Sequence, residues 1–178
     1  YFGDRFNTGM GVYGLQHIIY LTQDTYLQTT FSQSTSDYDF DNDSLGQLVY
    51  DREAFDNYAS RLQLLLNKKV NARNTLRVGI IGSRLGYNLF SEYNNRNQDR
   101  FITLVDDKGH TYFLQAYGQW QHRFNEDITL NAGMHFSQLA LNSNNAIEPR
   151  LGIRWKLDPT STLNFGYGLH SRMESSTI

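Results

Sequence analysis

Residues 147–172 read "IEPRLGIRWKLDPTSTLNFGYGLHSR", and across a central "LDPTS" turn every second position is apolar. Leu151, Ile153, Trp155 and Leu157 alternate with Arg150, Gly152, Arg154 and Lys156; beyond the turn, Leu163, Phe165, Tyr167 and Leu169 alternate with Asn164, Gly166, Gly168 and His170. A period of two puts each set on its own face of an extended strand, whereas a helix would spread both sets around its circumference. The same pattern governs "DITLNAGMHFS" at 127–137, the run Tyr58, Leu62, Leu64 and Leu66, and the run Tyr112, Leu114, Ala116 and Trp120.

Alternation of this kind predicts an all-β chain. Eight strands are expected, near 11–21, 25–36, 57–67, 75–90, 110–123, 127–140, 147–157 and 161–171. The apolar phase slips between Ile80 and Ile81 in "RVGIIGSRLGYNLF" and again near Gln138, which predicts a bulge at each place. Connections after the odd-numbered strands are short, "TQD", "KKVNARN", "NED" and "DPTS". Those after the second, fourth and sixth, at 36–57, 91–110 and 141–146, are longer. An antiparallel up-and-down meander then has its short turns at one end and its long loops at the other, the arrangement of outer-membrane barrels.

Aromatic side chains, 12 Tyr and 11 Phe among 178 residues, gather near both ends. Tyr20, Tyr26, Trp120 and Trp155, with Phe124, lie near the short turns, and Tyr58, Tyr87, Tyr112, Phe136 and Tyr167 lie toward the long loops. Two such belts are expected where rings meet headgroups. In that setting the Leu/Ile/Trp face meets lipid and the Arg/Lys/Asn face meets a wet lumen. Alternation alone does not separate this from a soluble lipocalin-like barrel with its apolar face buried around a ligand. Nor does it separate a barrel segment from a complete small eight-stranded barrel with a structural or adhesive role.

Charge narrows the partners. A formal net charge of −2 with scattered basic residues leaves no electrostatic footprint for nucleic acid. With no cysteine, disulfides and thiolate chemistry are excluded. No run of eighteen apolar residues occurs, so a membrane-spanning helix is excluded while a spanning barrel is not. The chain opens at "YFGDRF" in mid-pattern, as a cut fragment or a processed product would.

The 147–172 stretch resembles the barrel of TonB-dependent outer-membrane receptors, particularly those of Bacteroidota, in which an "EPR-G-W" strand precedes a "TL-FGYG-HS" strand. Glu148, Pro149, Arg150, Gly152, Trp155, Thr162, Leu163, Gly166, Tyr167, Gly168, His170 and Ser171 carry the resemblance, and "GQWQHRFNEDITLNAGMHF" upstream is similar to a strand, turn and strand of that family. It implies that residues 1–178 are a single barrel segment from the C-terminal part of a receptor that imports a scarce solute, such as a metal chelate or a glycan. It also implies an outer-membrane location, with lipid, the missing plug, the remaining strands and TonB as partners. No plug is expected within residues 1–178, and a segment with two free edges would also be expected to pair with copies of itself.

Candidate sites follow from the loop reading. "SDYDFDNDSLG" places Asp37, Asp39, Asp41 and Asp43 at alternate positions, a weak calcium candidate, because an EF-hand needs Gly and Glu where Ser44 and Tyr50 stand. Tyr38, Phe40 and Tyr50 in the same expected outer loop are candidates for capturing solute. His17, His110, His122, His135 and His170 lack metal-ligand spacing, and no nucleophile elbow accompanies the Ser, His and Asp present, so neither a cofactor nor an enzymatic activity is expected. Arg61, Arg77, Arg84, Arg150, Arg154 and Lys156 alternate with apolar residues and are expected to line the lumen, where cross-strand pairing or plug carboxylates would meet them.

Overall fold

The computed structural model describes residues 2–44, 48–95 and 100–171, with eight strands among them. These are β1 (Phe2–Thr22), β2 (Thr25–Ser44), β3 (Leu48–Lys69), β4 (Asn74–Asn95), β5 (Arg100–Arg123), β6 (Ile128–Leu139), β7 (Asn145–Lys156) and β8 (Thr162–Gly168). They form one sheet in sequence order, and the pairings of β5 through β8 are antiparallel. The all-β meander is therefore as the alternation predicts.

Three of the short turns are pinned by a side-chain oxygen acting on the backbone. Asn71 Oδ1 accepts from the N–H groups of Arg73 and Asn74, Asn125 Oδ1 from those of Asp127 and Ile128, and Asp158 Oδ1 from the N–H of Thr160. Asn and Asp favour turns because this bond imitates a backbone one. Thr160 Oγ1 also donates to Asp158 Oδ1, and together these bonds hold the Asp158 carboxyl below its ordinary pKa.

Two expectations need correction. First, 36–57 and 91–110 are strand over nearly their whole length: β2 and β3 reach Ser44 and Leu48, and β4 and β5 reach Asn95 and Arg100. The polar run "SDYDFDND" reads as loop by composition. A backbone ladder needs no apolar side chains, however, and here both faces of the run are used. The first strand likewise begins at Phe2 rather than near residue 11.

Second, no bulge accompanies the apparent slips. The Tyr117 ring stands where a Cβ on Gly79 would be, and the Tyr87 ring where one on Gly109 would be. The step from Gly79 to Tyr87 equals that from Gly109 to Tyr117, so β4 gains no residue relative to β5 around Ile80. Gln138 pairs with Leu114 on one side and Asn145 on the other, within unbroken registers.

By internal contacts the chain divides into two units, residues 1–15, 31–61 and 83–112 in the first, and 16–30, 62–82 and 113–178 in the second. Among the described residues no hydrophobic side chain is buried. In the second unit one face carries Leu62, Leu66, Val78, Ile80, Trp120, Met134, Ile153 and Trp155, all exposed. Registers join them across strands: Trp120 pairs with Ala132, Ala132 with Leu151, Leu130 with Ile153, Trp155 with Leu163 and Ile153 with Phe165.

Candidate functional site

The opposite face of the second unit carries a polar cluster built from β3, β5, β6 and β7. Tyr117 faces His135 and His135 faces Glu148 in the strand registers. Gln63 Nε2 donates to Tyr117 Oη at 3.1 Å, and Gln115 Nε2 lies 3.3 Å from His135 Nε2. In that arrangement the amide donates to Nε2 and the imidazole proton sits on Nδ1. Nδ1 is 3.3 Å from Glu148 Oε2, though outside hydrogen-bond geometry.

Glu148 is buried, 4% exposed, and its carboxylate is the centre of the cluster. Arg150 Nη2 donates to Oε2 at 2.7 Å, while the Ser171 N–H and Oγ donate to Oε1 at 2.7 and 2.5 Å. Bonds to a charged acceptor contribute roughly 1.5–3 kcal/mol each. They compensate the cost of burying the carboxylate and fix the segment after β8 against the start of β7. A second node closes the turn end of β4 and β5. Asn74 Nδ2 donates to Asn71 Oδ1, which leaves Asn74 Oδ1 to accept from Trp120 Nε1 at 3.0 Å and His122 Nδ1 at 2.7 Å.

In the first unit Tyr38 stacks on Phe55 at 5.5 Å between ring centroids with planes 12° apart, and Phe6 meets Tyr38 edge-on at 5.2 Å. Ion pairs occupy the other face: Arg52 pairs with Glu92 at 3.2 Å and Asp41 at 3.9 Å, and its guanidinium lies 4.8 Å from the Phe101 ring centre. Asn88 donates to Asp56 on that same side.

The residues singled out from sequence fall as follows. Tyr38 and Phe40 belong to β2, not to a loop, and alternation puts them on one face with Asp37, Asp39 and Asp41 on the other. Alternate strand residues are about 7 Å apart. Those carboxylates therefore stand in a row instead of encircling a point. Among the described residues no group of three or more His, Cys, Asp or Glu is placed to hold a metal. Tyr50 and Asp43 lie within strands, but their side chains lie outside the described residues.

Of the expected belt residues, Tyr58, Tyr112, Trp120, Phe136, Trp155 and Tyr167 stand on the apolar face. Tyr20 and Tyr26, 5.9 Å apart, share the face of Gln28, and Tyr87 shares the face of Gly79. Of the expected lumen cations, Arg84 falls on the face of Val78 and Ile80, while Arg61, Arg77, Arg150, Arg154 and Lys156 fall on the polar one. Arg154 pairs with Thr129, and Thr129 with Arg123, so Thr129 stands between two arginines in the strand registers.

The sequence carries no sign that Gln63, Gln115 and Tyr117 join one cluster with His135. Only their alternation with apolar neighbours marks them, and nothing local says that four strands bring them together.

No family model matches the sequence, and no curated protein matches it. Among solved structures, the chain superimposes on the ferric citrate transporter FecA in its unliganded form, with a TM-score of 0.67 over 93% of this chain and 12% identity. The two share a fold. The chain spans 28% of the length of that structure, and at this identity the likeness speaks for the arrangement of strands alone.

Proposed function

We propose that the chain is part of the wall of an outer-membrane β-barrel of the TonB-dependent receptor kind, which imports a scarce solute such as a metal chelate or a glycan. In this reading one face of the second unit meets lipid and the other meets a wet interior and the plug. Energy reaches the receptor from TonB through parts beyond this segment, and the segment itself catalyses nothing.

The observation that carries the reading is an exchange of faces along single strands. In β4 the apolar residues Leu76, Val78 and Ile80 share one face, whereas Ile81, Leu85, Tyr87 and Leu89 share the other. In β3, Leu62, Leu64 and Leu66 share a face from which Asp56 and Arg52 also project, with Phe55 opposite. In β2, Phe31 shares its face with Asp37, Asp39 and Asp41, and Tyr38 and Phe40 take the other. A soluble sheet keeps its apolar face toward one core throughout. A strand that leaves lipid for water has reason to exchange faces where its surroundings change. A spanning strand needs about 9–11 residues. β3 and β4 have 22 each and β5 has 24, enough to cross a bilayer and continue as far again.

The aromatic residues support the same boundary, with Tyr58 and Tyr112 last on the apolar face before charged residues take it over. The test uses the two tryptophans, Trp120 and Trp155, both exposed on the apolar face. Reconstituted into vesicles containing brominated phosphatidylcholine, the chain should lose most of its tryptophan fluorescence, and it should lose β-structure when micelles are withheld. Unquenched emission from a chain folded without detergent would overturn the reading in favour of a soluble barrel.

A further inference from the structure

The exchange of faces leaves an aromatic surface with no lipid to cover it. In the first unit Tyr38 touches both Phe6 and Phe55. Phe6 is 57% exposed. Tyr38 and Phe55 are half-buried beside it, and apolar ring surface left open in this way marks a contact surface.

Charge says what would cover it. On this face alternation places Asp4 on β1, Asp51 and Glu53 on β3, and Asp107 on β5, the last accepting from Tyr87 Oη at 3.2 Å. By alternation β3 adds Arg61 to this face, six residues from Phe55 and so about 20 Å away. Arg52 projects to the other face and is held there by Glu92 and Asp41. The surface around the rings is thus aromatic and negative. An anionic chelate meets four carboxylates there. A ligand carrying ammonium or guanidinium groups beside apolar ones finds both partners, a carboxylate for its charge and an aromatic ring for its apolar part or its cation.

We propose that this face of the first unit binds a short basic peptide rich in apolar side chains. The proposal rests on the receptor reading in one respect, that solute passes along this face. It differs from that reading in naming the chemistry of the solute.

The test is isothermal titration of the full chain in zwitterionic micelles, with a micelle blank, using an acetylated hexapeptide of alternating arginine and phenylalanine. A hexapeptide of alternating glutamate and phenylalanine is titrated in parallel. The arginine peptide should bind at least ten times more tightly than the glutamate peptide and weaken several-fold between 0.1 and 0.5 M salt, as screening shortens the reach of the carboxylates to about 4 Å. Tyr38→Ala with Phe55→Ala should weaken it about tenfold, and Glu53→Gln, which leaves the rings in place, about threefold. Equal binding of the two peptides, binding indifferent to these substitutions, or no binding of the arginine peptide at millimolar concentration would overturn the proposal. Tryptophan quenching by brominated lipid in the same preparations decides the receptor reading separately, so either can fall without the other.

Discussion

Gly86 has the tightest glycine contact among those described, and its replacement tests how β3 and β4 are held in register. A Cβ built there would lie 2.0 Å from Tyr58 Cε2 and 2.3 Å from Cζ, where ordinary contacts begin near 3.4 Å. The backbone of Gly86 lies outside the left-handed region, so the cost of alanine is steric. The Tyr58 ring must retreat by more than 1 Å and give up its packing across the strand pair. Overpacking of this size destabilises by about 1–3 kcal/mol. Because the obstacle is one ring, the cost should vanish when the ring is absent. Gly86→Ala should therefore lower the urea midpoint of the chain in micelles, followed by tryptophan fluorescence, whereas Gly86→Ala added to Tyr58→Ala should cost less than about 0.5 kcal/mol. The double-mutant cycle should return a coupling of about 1–2 kcal/mol. If the two substitutions simply add, the ring is not what reserves this position for glycine, and the contact read between β3 and β4 loses its support.

Two further outcomes follow from the turns. Asn74→Ala removes the acceptor shared by Trp120 and His122 and should cost about 1–2 kcal/mol, with a shift in the Trp120 emission maximum that a Trp155→Phe background makes readable. The carboxyl of Asp158 is held below its ordinary 3.8 by Thr160, so its contribution is present at pH above about 4 and is lost as pH falls through the depressed value. Urea titrations below pH 4 should show a steeper fall in stability for the parent than for Asp158→Asn, and identical slopes would refute that role for the Asp158–Thr160 bonds.

Much of the architecture was legible because a strand's side-chain period is two and the sequence keeps it. Alternation in 127–137, 147–157 and 161–171 marks β6, β7 and β8 to within a few residues, and the Asn and Asp turns mark the short connections. Other features were not legible, for an identifiable reason. "SDYDFDNDSLG" has the composition of a loop, and composition reports a segment's affinity for water rather than whether its backbone is paired. Tyr38 and Phe40 therefore looked like loop residues when they are one face of β2. The polar cluster was opaque on different grounds: Gln63, Tyr117, His135 and Glu148 are far apart in sequence, and only the registers of four strands make them neighbours.

The slip between Ile80 and Ile81 separates the two kinds of knowledge. The sequence by itself determined that the apolar phase changes there, because hydrophobic periodicity is a property of residue order. It could not say whether the chain had gained a residue or the surroundings had changed, since both shift the phase alike. Only the tertiary structure decided this. With Tyr117 over Gly79 and Tyr87 over Gly109, the strands stay in step and the backbone is unbroken. A face is defined by what a neighbouring strand holds in place, and what that face meets depends on everything beyond it.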